Sequence, residues 1–142
     1  MLTLVDLGIV RHVEIIADHV VRIGLSPTYS GCPATDVIKS MVRAALHSAG
    51  FDRVELSEVL MPAWTSDWIT AEGRDKLREY GIAPPAESVA SPGRMWRAAP
   101  VIACPRCGSV ATQPISEFGS TPCKALYRCE SCLEPFDYFK CH

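Results

Sequence analysis

The sequence predicts an α+β protein, in which a small α+β domain is followed by a metal-binding β-ribbon. Three observations support this prediction. Short runs of alternating apolar residues indicate strands, an amphipathic stretch indicates a helix, and two Cys-x-x-Cys pairs lie near the C-terminal end. We expect the first domain over residues 1–83, a linker rich in proline over residues 84–100, and the ribbon over residues 101–142.

The first predicted element is a β-hairpin. His12–Ile16 and Val20–Leu25 both alternate apolar and polar side chains, and Ala17–His19 is a plausible turn between them. A third strand is predicted over Val54–Leu60. With only about three strands and two or three helices, the first domain can bury a modest core.

Two helices are predicted in the first domain. Residues 34–49 place apolar side chains on one stripe at helical spacing, and Gly50 is a typical residue to end such a helix. That stripe contains Val37, Ile38, Met41, Val42, Ala45, Leu46 and Ala49. Thr70 is predicted to be the N-cap of a short second helix over Ala71–Tyr80.

The composition excludes several classes of protein. The chain has 142 residues, of which 48% are apolar and 21% charged, and its formal net charge is −2. Nucleic-acid binding normally uses a strong positive field, which this charge does not provide. No apolar run is long enough to cross a membrane, and the N-terminus does not resemble a signal peptide. We therefore expect a cytoplasmic protein without nucleic-acid or membrane partners.

The two Cys-x-x-Cys pairs predict one metal ion held by Cys104, Cys107, Cys129 and Cys132. Two thiolates with two residues between them can reach the same ion from a tight turn, and four give a tetrahedral site that suits zinc. Such a site has no open position, so its expected role is structural. Iron in the same site is an alternative, and reduced or disulfide-bonded cysteines are another.

The ribbon strands are predicted over Val110–Ser116, Leu126–Arg128 and Pro135–Lys140. A ribbon this short has little apolar core, so metal binding is expected to supply much of its folding energy. Three further residues of the ribbon are not predicted to bind this metal ion. Cys123 is expected to be a small buried residue, and Cys141 and His142 are expected to form a frayed tail. The alternative for these three is a second metal site.

Cys32 is the cysteine for which a functional role is predicted. Pro33 suits the first helical position, which places Cys32 at the N-cap of the first helix. There the unpaired amides and the positive end of the helix dipole favour a thiolate or an anionic metal–sulfur ligand. The alternative is a buried cysteine in a tight turn. No neighbouring histidine or second cysteine indicates a thiol protease or a thioredoxin-like protein.

Two tryptophans, Trp64 and Trp68, lie in a polar loop with Asp67 between them. They either fill the edge of the core, or have a functional role in which they line the opening above Cys32 or bind a partner, because aromatic residues anchor interfaces. Asp6 is expected to cap a helix terminus, and the alternative is that it belongs to the Cys32 site.

Three segments together resemble the MIP18-like (DUF59) domain of iron–sulfur assembly factors. They are Val5–Val10, Pro27–Ala34 and Trp64–Ile69. The segment Cys104–His142 resembles the zinc β-ribbon of one branch of that family, the PaaD (or PaaJ) subunits of phenylacetyl-CoA ring-1,2-epoxidases. Members usually carry a further helix before the first segment, whereas here Met1 lies only four residues before Val5.

The resemblance implies an accessory role in phenylacetate degradation, with no catalytic residues in this chain. Cys32, with Asp6 and Thr28, is the implied ligand for an iron–sulfur cluster or iron in transit. The implied partners are the oxygenase and reductase subunits of the epoxidase. One cysteine supplies too few ligands for a cluster, so a homodimer or a partner protein would complete the site. The alternatives are a structural subunit of the oxygenase complex and a thiol redox protein that pairs Cys32 with Cys123 or Cys141.

Overall fold

The computed structural model describes residues 1–85 and 100–140. Most of the predicted linker, and also Cys141 and His142, lies outside the described residues. The predicted domain boundaries therefore remain a prediction. Within the described ranges, no helix is both long and apolar enough to cross a membrane.

The first sheet contains the three predicted strands of the first domain. β1 (Val10–Ile16) pairs with β2 (Val20–Leu25) in antiparallel fashion, which confirms the hairpin. β3 (Val54–Glu58) pairs with β2 in parallel, and the order is β1-β2-β3. Parallel neighbours need a crossover, and helix α1 (Ala34–Ser48) supplies it.

Helix α1 covers the sheet with only part of its predicted apolar stripe. Ile38, Val42 and Leu46 pack against the buried side chains of β2. Val37 and Met41, in contrast, are 59% and 68% exposed, so only part of the stripe faces the core. The ridge formed by positions 38, 42 and 46 meets the narrow sheet, and the flanking positions face solvent.

Helix α2 (Ala71–Glu79) begins where the sequence predicted. The hydroxyl of Thr70 accepts a hydrogen bond of 2.9 Å from the amide of Gly73, which is the expected N-cap contact. Before α2, the chain passes through a 3₁₀ turn at Ser66–Trp68, where the predicted tryptophan loop lies.

The second sheet joins the ribbon to the first domain. The ribbon supplies β5 (Thr112–Ser116), β6 (Lys124–Cys129) and β7 (Pro135–Phe139) as an antiparallel meander. The fourth strand, β4 (Ile82–Ala83), follows α2 and pairs in parallel with β7, so the order is β4-β7-β6-β5. A strand of two residues shows no periodicity, and the sequence did not predict it.

A shared apolar cluster holds the ribbon against the first domain. We call it the seam cluster, and its buried members are Trp64, Ile69, Leu77 and Phe139. The ring of Trp64 meets that of Phe139 edge-to-face, with 6.0 Å between the centroids. The position of the ribbon is thus set by core packing as well as by the β4–β7 pairing.

Candidate functional site

The four predicted metal ligands come together at one end of the ribbon. Their sulfur atoms all lie within 4.8 Å of one another. Cys104 Sγ is 3.8 Å from Cys132 Sγ, and Cys107 Sγ is 3.5 Å from Cys129 Sγ. A tetrahedral ion with metal–sulfur bonds of about 2.3 Å requires sulfur atoms about 3.8 Å apart, so this donor set fits a metal ion.

The surrounding backbone holds the ligands in two tight turns. The amide of Arg106 donates to Cys104 Sγ at 3.4 Å, and the hydroxyls of Ser109 and Ser131 link the two turns at 2.8 Å. Cys104 and Cys129 are buried within the core cluster of the ribbon. The site is therefore part of the packing of the ribbon, as a structural metal site is.

The electrostatics of the four thiols also indicate a cation. An amide hydrogen bond from Cys132 lowers the pKa of Cys129 to about 6. At Cys132, an amide hydrogen bond from Glu134 acts in the same direction, but burial and the neighbouring thiols outweigh it and raise the pKa to about 12. Four sulfurs this close cannot all ionise in the absence of a counter-charge. A divalent cation would remove that conflict.

Cys32 lies at the entrance of α1, one position earlier than predicted. The cap residue of the helix is Pro33, so the prediction that Cys32 is the N-cap is wrong by one position, although the backbone angles of Pro33 are already helical. The carbonyl of Cys32 accepts a hydrogen bond of 3.1 Å from the amide of Thr35. Its side chain is half-buried, and with Thr28 it lines a small apolar cavity of about 30 Å³.

The pKa of Tyr29 responds to Cys32 and to a second cysteine, Cys123. Burial raises the pKa of Tyr29, and the contact with Cys32 and the charges of Cys32 and Cys123 act in the same direction. Sequence reasoning missed the effect of Cys123 on Tyr29, because residue 123 belongs to no local motif.

Asp6 is held by a local turn and by an ion pair with Lys76. It is 7% exposed, and its Oδ2 accepts hydrogen bonds from the amide of Thr3 at 2.8 Å and from Lys76 Nζ at 2.9 Å. These contacts lower the pKa of Asp6 to about 2, with the Lys76 hydrogen bond as the largest cause. No described helix begins or ends at Asp6, so these contacts do not cap a helix terminus, and a part for Asp6 in iron transfer remains a prediction.

The two tryptophans differ in their surroundings. Trp64 is 4% exposed, and its Nε1 donates to the carbonyl of Leu7 at 3.0 Å. Trp68 is half-buried beneath the guanidinium of Arg11, which lies 3.4 Å from its ring centroid. Asp67 is exposed between them. Trp64 thus fills the core, and binding of a partner by Trp68 and Asp67 remains a prediction.

A larger cavity lies beside the Cys32 loop. It has a volume of about 200 Å³, and its walls include Ser26, Tyr29 and Trp64. Trp64 therefore lines an opening as well as filling the core. The hydroxyl of Ser26 is buried in this wall without a hydrogen-bond partner among the described residues. No pattern in the sequence indicates this cavity.

Known proteins resemble both parts of this arrangement. Residues 2–56 match a family model described as iron-sulfur cluster assembly protein, and residues 89–140 match the PaaD zinc beta ribbon domain. A protein of Escherichia coli (strain K12) that is provisionally named as a subunit of 1,2-phenylacetyl-CoA epoxidase is 54% identical over 143 aligned positions. The alignment covers 99% of this chain and 82% of the relative. The chain belongs to the PaaD family of epoxidase subunits.

Membership in the PaaD family confirms the resemblance seen in the sequence. A crystal structure of a DUF59 domain of unknown function from Bacillus anthracis is also similar to part of this chain. It is 24% identical, with a TM-score of 0.48, and the match covers 51% of this chain and 70% of that one.

Proposed function

We propose that this chain is a non-catalytic maturation factor of a phenylacetyl-CoA epoxidase, and that it transfers iron or an iron–sulfur cluster through Cys32. The observation that carries this proposal is the position of Cys32. Its thiol lies outside the four-cysteine site, half-buried at the entrance of α1. A thiol that passes metal to another protein has to be reachable and free of a permanent ligand set.

We further propose that the four-cysteine site holds zinc and is structural. The sulfur–sulfur distances fit a tetrahedral ion, and four protein ligands leave no position for a substrate. Zinc has no redox chemistry, so the ribbon would contribute folding and docking. The iron chemistry would then belong to the first domain and to the partner subunits.

The test is to produce the oxygenase and reductase components with this chain, without it, and with Cys32→Ala. Ser30→Ala is the matched control, because Ser30 is an exposed residue of the same loop. Iron per oxygenase and the epoxidation rate should fall together without the chain and with Cys32→Ala, and Ser30→Ala should preserve both. Equal iron and equal rate in all four preparations would exclude a role in maturation.

A structural subunit of the oxygenase complex is the second candidate function, and an exposed apolar surface favours it. Val13 and Ile15 on β1 are 59% and 69% exposed, on the face of the sheet that α1 covers. Val37 and Met41 on α1 add to the exposed apolar area of this domain. Stable, stoichiometric co-purification with the oxygenase, together with a silent Cys32→Ala variant, would favour this function over maturation.

A further inference from the structure

The cavity of about 200 Å³ beside the Cys32 loop lies at the ends of two parallel strands. Its wall includes Ser26, which directly follows β2, and Val59, which directly follows β3. The amide of Val59 donates to the carbonyl of Leu25 at 2.8 Å, which joins the two strand ends at the base of the cavity. Open sheets with parallel strands bind their ligands outside the carboxyl ends of those strands, so the topology favours a binding site here.

The hydroxyl of Ser26 is the polar group of this cavity that a ligand would satisfy. Ser26 is 1% exposed, and its amide donates to the carbonyl of Ile9 at 2.7 Å. Its Oγ, in contrast, has no hydrogen-bond partner among the described residues. Because a buried hydroxyl is normally hydrogen-bonded, a polar atom that enters the cavity would complete the bonding of Ser26.

The side chains of the wall select a neutral and largely apolar ligand. Val59, Leu60, Ala63 and the ring of Trp64 supply apolar surface, and the polar side chains of the wall all end in hydroxyls. Among the described residues, none that lines the cavity is an aspartate, glutamate, lysine, arginine or histidine. A charged ligand would therefore lie away from water without a counter-charge, which is costly.

The volume of the cavity sets the size of the ligand. A dry protein cavity of about 150 Å³ is enough to hold benzene, so this larger cavity has room for one substituted benzene ring. Trp64 favours an aromatic ring over an aliphatic chain, because aromatic pairs gain energy beyond the area that they bury. Trp64 is itself held by the hydrogen bond of 3.0 Å to Leu7, so this part of the wall is preformed.

We propose that this cavity binds one neutral aromatic ring that carries a single hydrogen-bonding group, of which a para-substituted phenol is the simplest example. The ring packs against Trp64, and its polar group is hydrogen-bonded to Ser26 Oγ. Such a phenol has two sources, a free small molecule and the side chain of a tyrosine on a partner protein. Leu60 in the wall is 52% exposed, so the cavity opens on an apolar surface that either source can reach.

The phenol site is separate from Cys32, although it shares part of the same loop. Pro27 and Thr28 line this cavity and also the smaller cavity that contains Cys32. The inference goes beyond the proposed function and does not rest on it, because neither iron nor a cysteine takes part in binding the ring. Failure of either proposal therefore leaves the other unaffected.

Nuclear magnetic resonance of the ¹⁵N-labelled full chain, with p-cresol as the probe, tests the phenol site. We expect saturable shifts of the amide signals of Ser26 and Ala63 and of the indole signal of Trp64. Toluene lacks the hydroxyl and should bind about 3–10-fold more weakly, the range that one net hydrogen bond supplies. In Ser26→Ala the two probes should bind equally. Ser48→Ala, at an exposed position at the end of α1, is the matched control and should keep the preference for p-cresol.

Ala63→Leu is a second variant that leaves Ser26 unaltered. Ala63 is an exposed residue of the wall, so a larger side chain there can fill the cavity without disturbing the core. It should abolish the p-cresol shift at Ser26, and the thermal transition verifies that each variant is folded. If Ser26→Ala does not fold, Ala63→Leu and the comparison of p-cresol with toluene on the unaltered chain decide the question.

A capped peptide with one central tyrosine distinguishes the two sources of the ring. Binding of this peptide as tightly as p-cresol assigns the site to a side chain of a partner protein, and binding of p-cresol alone assigns it to a free small molecule. The absence of saturable p-cresol shifts at the wall of the unaltered chain overturns the site. An unchanged preference for p-cresol in Ser26→Ala, or unchanged p-cresol binding in Ala63→Leu, overturns it as well.

Discussion

Phe139 provides the sharpest test of how firmly the ribbon is attached. Its side chain is 7% exposed, and its ring meets that of Trp64 at 6.0 Å and 65°. Truncation of a buried phenylalanine typically costs about 3–5 kcal/mol, a large share of the roughly 5–15 kcal/mol that stabilises a protein. Phe139→Ala should therefore lower the melting temperature by about 10–15 °C, with zinc still bound.

Phe118 is the matched control for this experiment, because it lies in the same ribbon but is 64% exposed. Its ring contacts Lys140 Nζ at 4.4 Å, which is worth about 0.5–1 kcal/mol at an exposed site. Scanning calorimetry of both variants, with zinc content measured in parallel, gives the comparison. A Phe139→Ala shift as small as that of Phe118→Ala would refute the claim that the seam cluster holds the two parts together.

Three further predictions follow from the metal site, Asp6 and two glycines. Cys107→Ser should reduce bound zinc well below one equivalent per chain, measured by elemental analysis, because one of four ligands is lost. Asp6 has a pKa lowered to about 2, so its stabilising contribution is present at neutral pH and is lost as the pH falls from about 5 towards 2. Urea unfolding across this range should show a flatter acid dependence for Asp6→Asn, and an unchanged slope would contradict it. Gly8→Ala places a Cβ 2.5 Å from Trp68 Cβ at a positive φ, and should cost more than about 3 kcal/mol in urea unfolding. Gly50→Ala has a positive φ in open space and should cost only about 1 kcal/mol.

Local signals explain which features could be predicted from the sequence. The hairpin follows from alternation over Val20–Leu25, and Thr70 caps α2 because a threonine before a helical pattern has a local hydrogen-bond partner. The four metal ligands follow from spacing alone, since Cys-x-x-Cys turns bring their sulfurs together regardless of the rest of the fold. The family was visible for a similar reason, because its motifs are short and contiguous.

The features that could not be predicted depend on contacts between distant parts of the chain. β4 is only two residues long and becomes a strand because β7 offers it an edge. Cys123 packs against the seam cluster because the ribbon docks through Phe139, and no pattern around residue 123 carries that information. The helix starts at Ala34 as predicted, but its cap residue was misassigned by one position, because Pro33 is compatible with both the cap and the first helical position.

Direct transfer of labelled iron tests the central claim most directly. The chain is loaded with ⁵⁷Fe under anaerobic conditions, mixed with an iron-free component of the oxygenase and separated from it again, and the label in each protein is then measured. We predict that label moves from the unaltered chain to the acceptor, and that Cys32→Ala transfers little or none. Equal transfer by Cys32→Ala, or retention of the label by the unaltered chain, would contradict a carrier role for Cys32.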